Sequence, residues 1–400
     1  MSAGRAILVI NAGSSSLKFA LFEIGAGLTA TTRGEIENLD SAPRFMARDA
    51  KGAALTAELW PPGAPVDFAA VLEALLAFIE GRLGEDKLIA VGHRVVHGGA
   101  DHIAPERLTP AGLAALEALT PLDPLHLPHN LTPMRAITAA RPGLTQVACF
   151  DTAFHHTMPR EAAHLALPLA LTQAGVRRYG FHGLSYEFIV ESLKVEAPAL
   201  ARGKVIAAHL GAGASLCALR SGMSIDTTMG FSVLDGLVMA TRCGSLDPGA
   251  ILYLARQGKS FSQIEDLLYR QSGLLGVSGI SGDVRDLINS DDPRAREALD
   301  LFSYRAAFEI GGLTSALGGL DGLVFTAGIG ENAPSIRAEI CARLGWLGVR
   351  LDAAANAANA DRISAGDSRV DVRVIATDEE ATIAHHTESL VARSASGIGP

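Results

Sequence analysis

This chain of 400 residues is 48% hydrophobic and 19% charged, so it has enough apolar material for two or three folded domains. Its formal net charge of −9 has the wrong sign for a protein that binds nucleic-acid phosphates or anionic membranes. The cysteines Cys149, Cys217, Cys243 and Cys341 form no Cys-x-x-Cys pair and no long apolar segment suits a membrane helix, so we expect a cytoplasmic protein.

The first predicted element is a β-hairpin. The apolar run Ala6–Ile10 leads through small residues into a second apolar run, Phe19–Phe22, a pattern that is typical of two tightly joined strands. The segment Lys204–His209 and the glycines after it repeat this layout, with Ser16 and Ser215 at matching positions. We interpret the repeat as two domains of similar topology, because its period is too long for a solenoid.

The repeat also suggests how the chain divides. We predict an N-terminal domain over residues 1–151 and a C-terminal domain over residues 152–379, with the last helix, 380–400, packed on the first domain. A cleft between two such domains is the expected binding site.

Helix-start signals recur between the predicted strands. Thr109-Pro110 and Asp247-Pro248 each place a capping side chain before a proline, which is typical of the first turn of a helix. The stretch Ser262-Gln-Ile-Glu265 has the pattern of a capping box. Helices are therefore predicted to begin near these three points.

The C-terminal part of the chain continues the alternation of strands and helices. Leu323–Thr326 is predicted to be a strand, residues 327–332 a loop, and Pro334 the start of a helix. Val372–Ala376 is a further predicted strand, and Thr377-Asp-Glu-Glu380 has the pattern of a capping box that opens the last helix. This order predicts an α/β architecture.

Loops of small residues follow three of these strands, at Asn11–Ser16, Gly211–Ser215 and Gly328–Asn332. Glycine lets backbone N–H groups approach an anion closely, so together the loops favour a nucleotide site. The P-loop pattern Gly-x-x-x-x-Gly-Lys is absent. The stretch Gly328-x-Gly330-x-x-Ala333 matches a relaxed dinucleotide fingerprint, so an NAD-dependent oxidoreductase remains an alternative.

Charged residues in glycine-rich surroundings are the candidate chemical groups. Arg94 and Arg242 have neighbouring glycines, and a guanidinium suits carboxylate or phosphate. Asp151 ends an apolar run, where open α/β sheets bind ligands. His182, between aromatic residues and glycines, is a candidate hydrogen-bond donor to a transferring group.

The chain closely resembles the acetate kinase family over nearly its whole length. The motifs that carry the resemblance occur in the family's order and are Val9-Ile-Asn-Ala-Gly-Ser-Ser-Ser-Leu-Lys18, Gly92-His-Arg-Val-Val-His-Gly-Gly99, Phe150-Asp-Thr-Ala-Phe-His155, Tyr179-Gly-Phe-His-Gly183, His209-Leu-Gly-Ala-Gly213 and Phe325-Thr-Ala-Gly-Ile-Gly-Glu-Asn332. The resemblance implies two duplicated RNase H-like domains, as in the superfamily of acetate and sugar kinases, Hsp70 and actin. It also implies an inter-domain active-site cleft and a homodimer.

The reaction implied by the resemblance is the reversible phosphorylation of acetate, or another short-chain carboxylate, to an acyl phosphate by direct in-line transfer from ATP. The implied cofactors are ATP and Mg²⁺, for which Mn²⁺ can substitute. A carboxylate is already ionised near neutral pH, so the enzyme must chiefly position anions and stabilise the transferring phosphoryl group.

By the same resemblance, the catalytic residues are Asp151, His182 and Arg242, and the metal ligands are Asn11 and Glu379. The implied substrate-binding residues are Arg94, Val96, Leu125, His126, Phe181 and Val233. The implied nucleotide-binding residues are Ser14, Ser16, Lys18, His209, Leu210, Gly211, Ala212, Gly213, Asp283, Val284, Arg285, Gly328, Ile329, Gly330, Glu331 and Asn332.

The chain departs from the family pattern at three places, one of which is Gly183-Leu-Ser-Tyr186, where Gly-Thr-Ser-His is common and only indirect effects on the site are expected. Ala212 stands where Asn is usual, which removes an amide from the phosphate loop, and Val233 stands where Pro is common in the acyl pocket. One methylene discriminates by only about 1–3 kcal/mol, so a propionate kinase remains an alternative. A non-catalytic ATP-binding protein of the actin type is a further alternative.

Overall fold

A computed structural model of the chain describes residues 4–39, 41–55, 60 and 67–395. The chain divides into two compact units. The first unit runs up to Ala153 and includes the chain again from Asp378 onward, and the second unit is Phe154–Thr377. Each unit contains one β-sheet with helices packed on it.

The strands form one sheet in each unit. In chain order they are β1 (Arg5–Ala12), β2 (Ser16–Ile24), β3 (Leu28–Glu37), β4 (Arg44–Asp49), β5 (Ala54–Leu55), β6 (Lys87–Val95), β7 (Glu106–Arg107), β8 (Thr145–Phe150), β9 (Lys204–Leu210), β10 (Ala214–Arg220), β11 (Met223–Thr227), β12 (Gly322–Thr326) and β13 (Asp371–Val374). The sheet of the first unit has the order β5-β4-β3-β2-β1-β6-β8-β7, and that of the second has the order β11-β10-β9-β12-β13.

The helices lie between and after these strands. They are α1 (Phe68–Leu83), α2 (Pro110–Ala118), α3 (Leu127–Ala140), α4 (Arg160–Ala163), α5 (Leu169–Gln173), α6 (Gly183–Glu196), α7 (Pro198–Ala201), α8 (Pro248–Arg256), α9 (Phe261–Arg270), α10 (Gly273–Ser278), α11 (Val284–Ile288), α12 (Pro293–Leu317), α13 (Ala327–Asn332), α14 (Pro334–Arg343), α15 (Ala353–Ala357) and α16 (Glu379–Ala395). Short 3-10 turns lie at Thr120–Leu122, Ala153–Thr157 and Gly345–Leu347. Within the described ranges, no helix is both long enough and apolar enough to cross a membrane.

The first sheet is covered by helices because its central strands are apolar on both faces. Leu8 and Ile10, on one face of β1, share a buried cluster with Leu75 and Ile79 of α1. Burial of a side chain of this size contributes about 1.5–3 kcal/mol.

Helix α16 packs on the same sheet at β1, β6 and β8. A side chain at Gly92 of β6 would lie within 2.6 Å of Ile383 and Thr387 of α16, so only glycine allows this close packing. Residues 396–400 of the predicted last helix lie outside the described residues.

The second sheet repeats the connectivity of the first. β9 and β10 form an antiparallel hairpin that β11 extends, and β12 and β13 lie parallel to β9 on its other side. The first unit has the same pattern, with β1, β2 and β3 antiparallel and β6 and β8 parallel. The predicted α/β fold with a duplicated topology is therefore confirmed.

Three local predictions need correction. The capping box lies at Ser260 and Gln263, two residues before the predicted position, because Ser260 directly precedes helix α9 and receives the Gln263 N–H at 3.3 Å. Residues 327–332, predicted to be a loop, form the short helix α13. The last helix is capped by Asp378, whose Oδ1 accepts the Ala381 N–H at 2.9 Å, rather than by Thr377.

Candidate active site

Three of the candidate polar residues lie at one edge of the first sheet. β1, β6 and β8 are adjacent and parallel, so their carboxyl ends meet at the same edge. Asn11 lies at the end of β1, Arg94 near the end of β6, and Asp151 directly after β8. The sheet topology therefore brings together residues that are far apart in the sequence.

Arg94 is the centre of this cluster. Its Nε donates to Asp151 Oδ1 at 3.1 Å and Oδ2 at 3.2 Å, and its Nη2 donates to Oδ2 at 2.5 Å. Its Nη1 donates to Asn11 Oδ1 at 3.3 Å, and Glu379 Oε2 lies 3.6 Å from Nε. We call these four residues, Asn11, Arg94, Asp151 and Glu379, the arginine cluster.

The arginine cluster sets two carboxylates against one guanidinium. Burial lowers the pKa of Arg94, but the carboxylates of Asp151 and Glu379 outweigh this effect and raise the pKa above its usual value. The Asp151 side chain is only 1% exposed, and its backbone N–H donates to the Val95 carbonyl at 3.0 Å. Arg94 is therefore a permanent cation held by a fixed carboxylate.

The predicted acyl-pocket residues of the first unit follow the same sheet edge. Val96 is buried, and its N–H donates to Asn130 Oδ1 at 2.9 Å. Asn130 also donates to the Ala12 carbonyl at 2.8 Å, so it fastens helix α3 to the ends of β1 and β6. Leu125 and His126 directly precede α3, and His126 Nδ1 lies 2.8 Å from Asp123 Oδ1.

The hairpin residues predicted to bind nucleotide surround the turn between β1 and β2. The Gly13 N–H donates to the Ser16 carbonyl at 2.8 Å, which leaves Ser14 exposed at the turn. Lys18 is paired with Asn11 across the hairpin, so the two side chains share a face of the sheet. Lys18 also lines a cavity of about 610 Å³ in the first unit.

A second cluster lies in the second unit, around the turn between β9 and β10. A methyl group at Gly213 would lie 2.9 Å from Arg242 Nη2 and 3.4 Å from His182 Nε2. Both nitrogens therefore converge on the backbone of Gly213. Arg242 is held by a 2.7 Å bond from Nη1 to the Val233 carbonyl, and this contact places Val233 beside it.

His182 and His209 stack in this cluster. Their ring centroids are 4.1 Å apart and their planes differ by 13°. His182 Nδ1 lies 2.8 Å from Ser215 Oγ, and His209 Nδ1 lies 2.9 Å from Ser185 Oγ. His182 directly precedes α6 with φ of 59°, a left-handed conformation that is unfavourable for a residue with a Cβ. Phe181, next to it, is buried.

The predicted nucleotide segments pack against one another within the second unit. The Ala240 N–H donates to the Ala212 carbonyl at 3.1 Å. A side chain at Gly282, just before Asp283, would lie 2.8 Å from the Ala240 carbonyl. A side chain at Gly211 would lie 3.7 Å from the Cβ of Ala327, at the start of α13. The structure thus groups these segments, which are far apart along the chain.

Some predicted nucleotide side chains are already engaged within the protein. Glu331 Oε1 accepts the N–H groups of Ala327 at 2.8 Å and Thr377 at 3.1 Å, so its carboxylate fixes backbone. Asp283 caps α11 and pairs with Arg285, whose side chain is 87% exposed. Glu331 can therefore offer a nucleotide chiefly its backbone.

Sequence reasoning missed Asn130 and Ser215 as supports of the site. Ser215 occurs in the repeated Ser-Leu pair of the hairpins, and that repeat was the available signal. Asn130 lies among other polar residues of α3 and gives no such signal. Only the fold shows that it contacts the ends of two strands.

The chain matches the model of the acetokinase family over residues 6–385. It is 53% identical to an acetate kinase of Rhodopseudomonas palustris over 388 residues, which are 95% of this chain and 97% of the relative. It is 48% identical to an acetate kinase of Nitrobacter hamburgensis over 396 residues, which are 98% of each chain.

The chain is also similar in fold to solved structures of acetate and propionate kinases. The fold matches a propionate kinase from Francisella tularensis with a TM-score of 0.89 and 37% identity, over 96% of this chain and 99% of that one. It matches the Porphyromonas gingivalis acetate kinase with a TM-score of 0.86 and 35% identity, over 98% and 100% of the two chains.

Proposed function

This chain belongs to the acetokinase family, and we propose that the two clusters described above carry out its reaction, the reversible phosphorylation of acetate by ATP. The observation that supports this most directly is the convergence of Arg242 Nη2 and His182 Nε2 over Gly213. Two nitrogen groups beside an open backbone form a site for an anion whose charge grows during transfer. The transferring phosphoryl group is such an anion.

Arg94 is the proposed ligand of the acetate carboxylate. It carries a positive charge at every physiological pH, and its guanidinium can hold a carboxylate by two parallel hydrogen bonds. Asp151, which the family resemblance makes the catalytic acidic residue, fixes the direction of Arg94. Because the acetate oxygen is already an anion, the reaction needs no strong general base.

The side-chain oxygen atoms of the arginine cluster are also suitable ligands of a divalent metal. The oxygens of Asn11, Asp151 and Glu379 surround a guanidinium, so this place accepts a cation, and such oxygens are the ligands that Mg²⁺ prefers. We propose that Asn11 and Glu379 hold Mg²⁺, with Mn²⁺ as a substitute. In the described part of the chain, no three His, Cys, Asp or Glu side chains group around a metal position. Bound there, the metal would neutralise charge on the ATP phosphates.

The nucleotide is proposed to bind the segments that meet near Gly211. His209–Gly213 supplies backbone groups beside Arg242 and His182, and Gly328–Asn332 directly follows Ala327, whose Cβ would lie 3.7 Å from a side chain at Gly211. Asp283–Arg285 follows the segment that packs on Ala240. Ser14, Ser16 and Lys18 are proposed to contact the phosphate end. Ala212 contributes a carbonyl to the protein's own backbone bonding.

Acetate and propionate remain two candidate acyl substrates. Val96 and Phe181 are buried and Val233 is 7% exposed, so these apolar side chains are proposed to receive the short alkyl group of the acid. Leu125 and His126 are the other proposed contacts of the acid. Formation of acyl phosphate from Mg-ATP and either acid, trapped as the hydroxamate, tests the choice. A stronger acetate signal supports an acetate kinase, and a stronger propionate signal supports the alternative.

Other expectations stay predictions. These are a homodimer, a cytoplasmic location, and closure of the N-terminal and C-terminal domains on the substrates. The comparisons favour a kinase over the NAD-dependent oxidoreductase and over a non-catalytic ATP-binding protein.

A further inference from the structure

A buried tyrosine lies behind His182. Tyr186, one turn further along α6, is fully buried, and its hydroxyl lies 2.5 Å from Ser215 Oγ. Ser215 is also fully buried and lies 2.8 Å from His182 Nδ1. The three side chains form a chain of hydrogen bonds that ends at the imidazole whose Nε2 faces Gly213 and Arg242.

The number of protons in this chain limits how it can be arranged. A phenol hydroxyl and a serine hydroxyl each carry one proton, and a neutral imidazole carries one proton on either nitrogen. A buried hydroxyl needs a partner for its proton. Because a phenol is a stronger acid than a serine hydroxyl, donation from Tyr186 to Ser215 Oγ is favoured over the reverse direction. In that direction Ser215 donates its own proton to His182 Nδ1, which must then be the acceptor. The proton of His182 consequently lies on Nε2.

We propose that Tyr186 is a positioning residue that, through Ser215, keeps His182 neutral with its proton on Nε2. The proposal rests on the proposed function, in which His182 donates a hydrogen bond to the transferring phosphoryl group. While Tyr186 donates to Ser215, protonation of Nδ1 would place two protons between His182 and Ser215, so this arrangement opposes both the other tautomer and the imidazolium ion. Nε2–H is then always aimed at the anion site beside Arg242 Nη2, and no proton rearrangement precedes the reaction.

The backbone supports the same arrangement. His182 has the left-handed φ of 59°, which costs free energy and is retained where surrounding contacts fix it. Its ring is held between the stacked ring of His209 and the hydroxyl of Ser215. The ring therefore has a fixed direction, and only the position of its proton remains to be set.

The test is the substitution Tyr186→Phe in the full chain. The matched control is Tyr179→Phe, because it removes a phenol hydroxyl of the same unit that donates instead to the Gly175 carbonyl at 2.7 Å. Nitrogen-15 NMR of histidine-labelled protein reads the tautomer and the protonation of His182 without any turnover. Ser215→Ala is the second variant, since it breaks the chain at its middle.

We expect wild type and Tyr179→Phe to show His182 protonated on Nε2 alone. Tyr186→Phe and Ser215→Ala should show a mixture of tautomers and a raised pKa of His182. In Tyr186→Phe, kcat should fall by about 10-fold, the lower end of the loss when a partner behind a functional histidine is removed, while the KM values for acetate and ATP stay unchanged.

An unchanged His182 tautomer in both variants would overturn the proposal, as would a Tyr186→Phe effect that the Tyr179→Phe control reproduces. Because the NMR readout needs no reaction, a changed tautomer in a protein that does not phosphorylate acetate would support the hydrogen-bond chain and reject the proposed function instead.

Discussion

Asp151→Asn should destabilise the first unit by several kcal/mol, because it leaves the Arg94 guanidinium without its main partner. The substitution keeps the shape of the side chain but removes the charge that receives three hydrogen bonds from Arg94. Removing one partner of a buried pair costs about 3–5 kcal/mol. Glu379 stays 3.6 Å from Arg94, whose side chain is 19% exposed, so we expect the lower end, about 3 kcal/mol.

The assay must report on the first unit alone, because a chain of two units need not unfold in one step. Native-state hydrogen exchange, followed by mass spectrometry on peptides of β6 and β8, gives the free energy of opening at the site. Peptides of β9 and β12 in the second unit serve as an internal reference. The exchange free energy of β6 and β8 should fall by about 3 kcal/mol in Asp151→Asn.

The matched control is Glu117→Gln, which removes the carboxylate that Arg135 contacts at 2.8 Å in the same unit. Both side chains of that pair are more than 40% exposed, so its loss should cost at most about 1 kcal/mol. If Asp151→Asn and Glu117→Gln gave the same exchange free energies, the reasoning about the arginine cluster would be refuted.

Two further predictions concern other parts of the molecule. Arg94→Ala should raise the KM for acetate by about 10- to 100-fold, as expected for loss of a charged hydrogen bond. The KM for ATP should stay near that of the wild type. An unchanged acetate KM in steady-state kinetics would remove Arg94 from the carboxylate site. Burial lowers the pKa of His155 from 6.5 to about 4, although its hydrogen bond to the Phe181 carbonyl acts in the opposite direction. The neutral imidazole of His155 therefore stabilises the fold above pH 6.5, and this stabilisation is lost as the pH falls toward 4. Between pH 7 and 5, the free energy of opening of β9 and β12, measured by hydrogen exchange, should therefore fall by about 2 kcal/mol less in His155→Asn than in the wild type. Equal decreases in the two proteins would contradict the assignment.

The sequence predicted the hairpins and most helix starts because their signals are local. Thr109 and Asp247 each cap the helix that follows, as their position before a proline predicted. The capping box at Ser260 was misplaced because Ser260-x-x-Gln263 and Ser262-x-x-Glu265 overlap. The choice between them depends on which register buries Ile264 and Leu268, and the sequence alone does not contain that information.

In the candidate site too, some residues have local sequence signals, whereas other contacts depend on the fold. Asn11 and Asp151 could be predicted because they directly follow or end apolar strands. The pairing of Arg94 with Asp151 depends on the order of β1, β6 and β8 in the sheet. The bond between Tyr186 and Ser215 joins residues 29 positions apart on different elements, so it follows from packing and not from a motif.

The central claim is that Arg242 and His182 stabilise the transferring phosphoryl group. Its most direct test is single-turnover formation of acetyl phosphate from acetate and Mg-ATP by wild type and by Arg242→Ala, with nucleotide binding measured separately by calorimetry. Wild type should form acetyl phosphate, and Arg242→Ala should form it at a rate at least about 100-fold lower, with both proteins folded and able to bind ATP. A near-normal rate in Arg242→Ala, or no product from wild type that binds ATP, would contradict it.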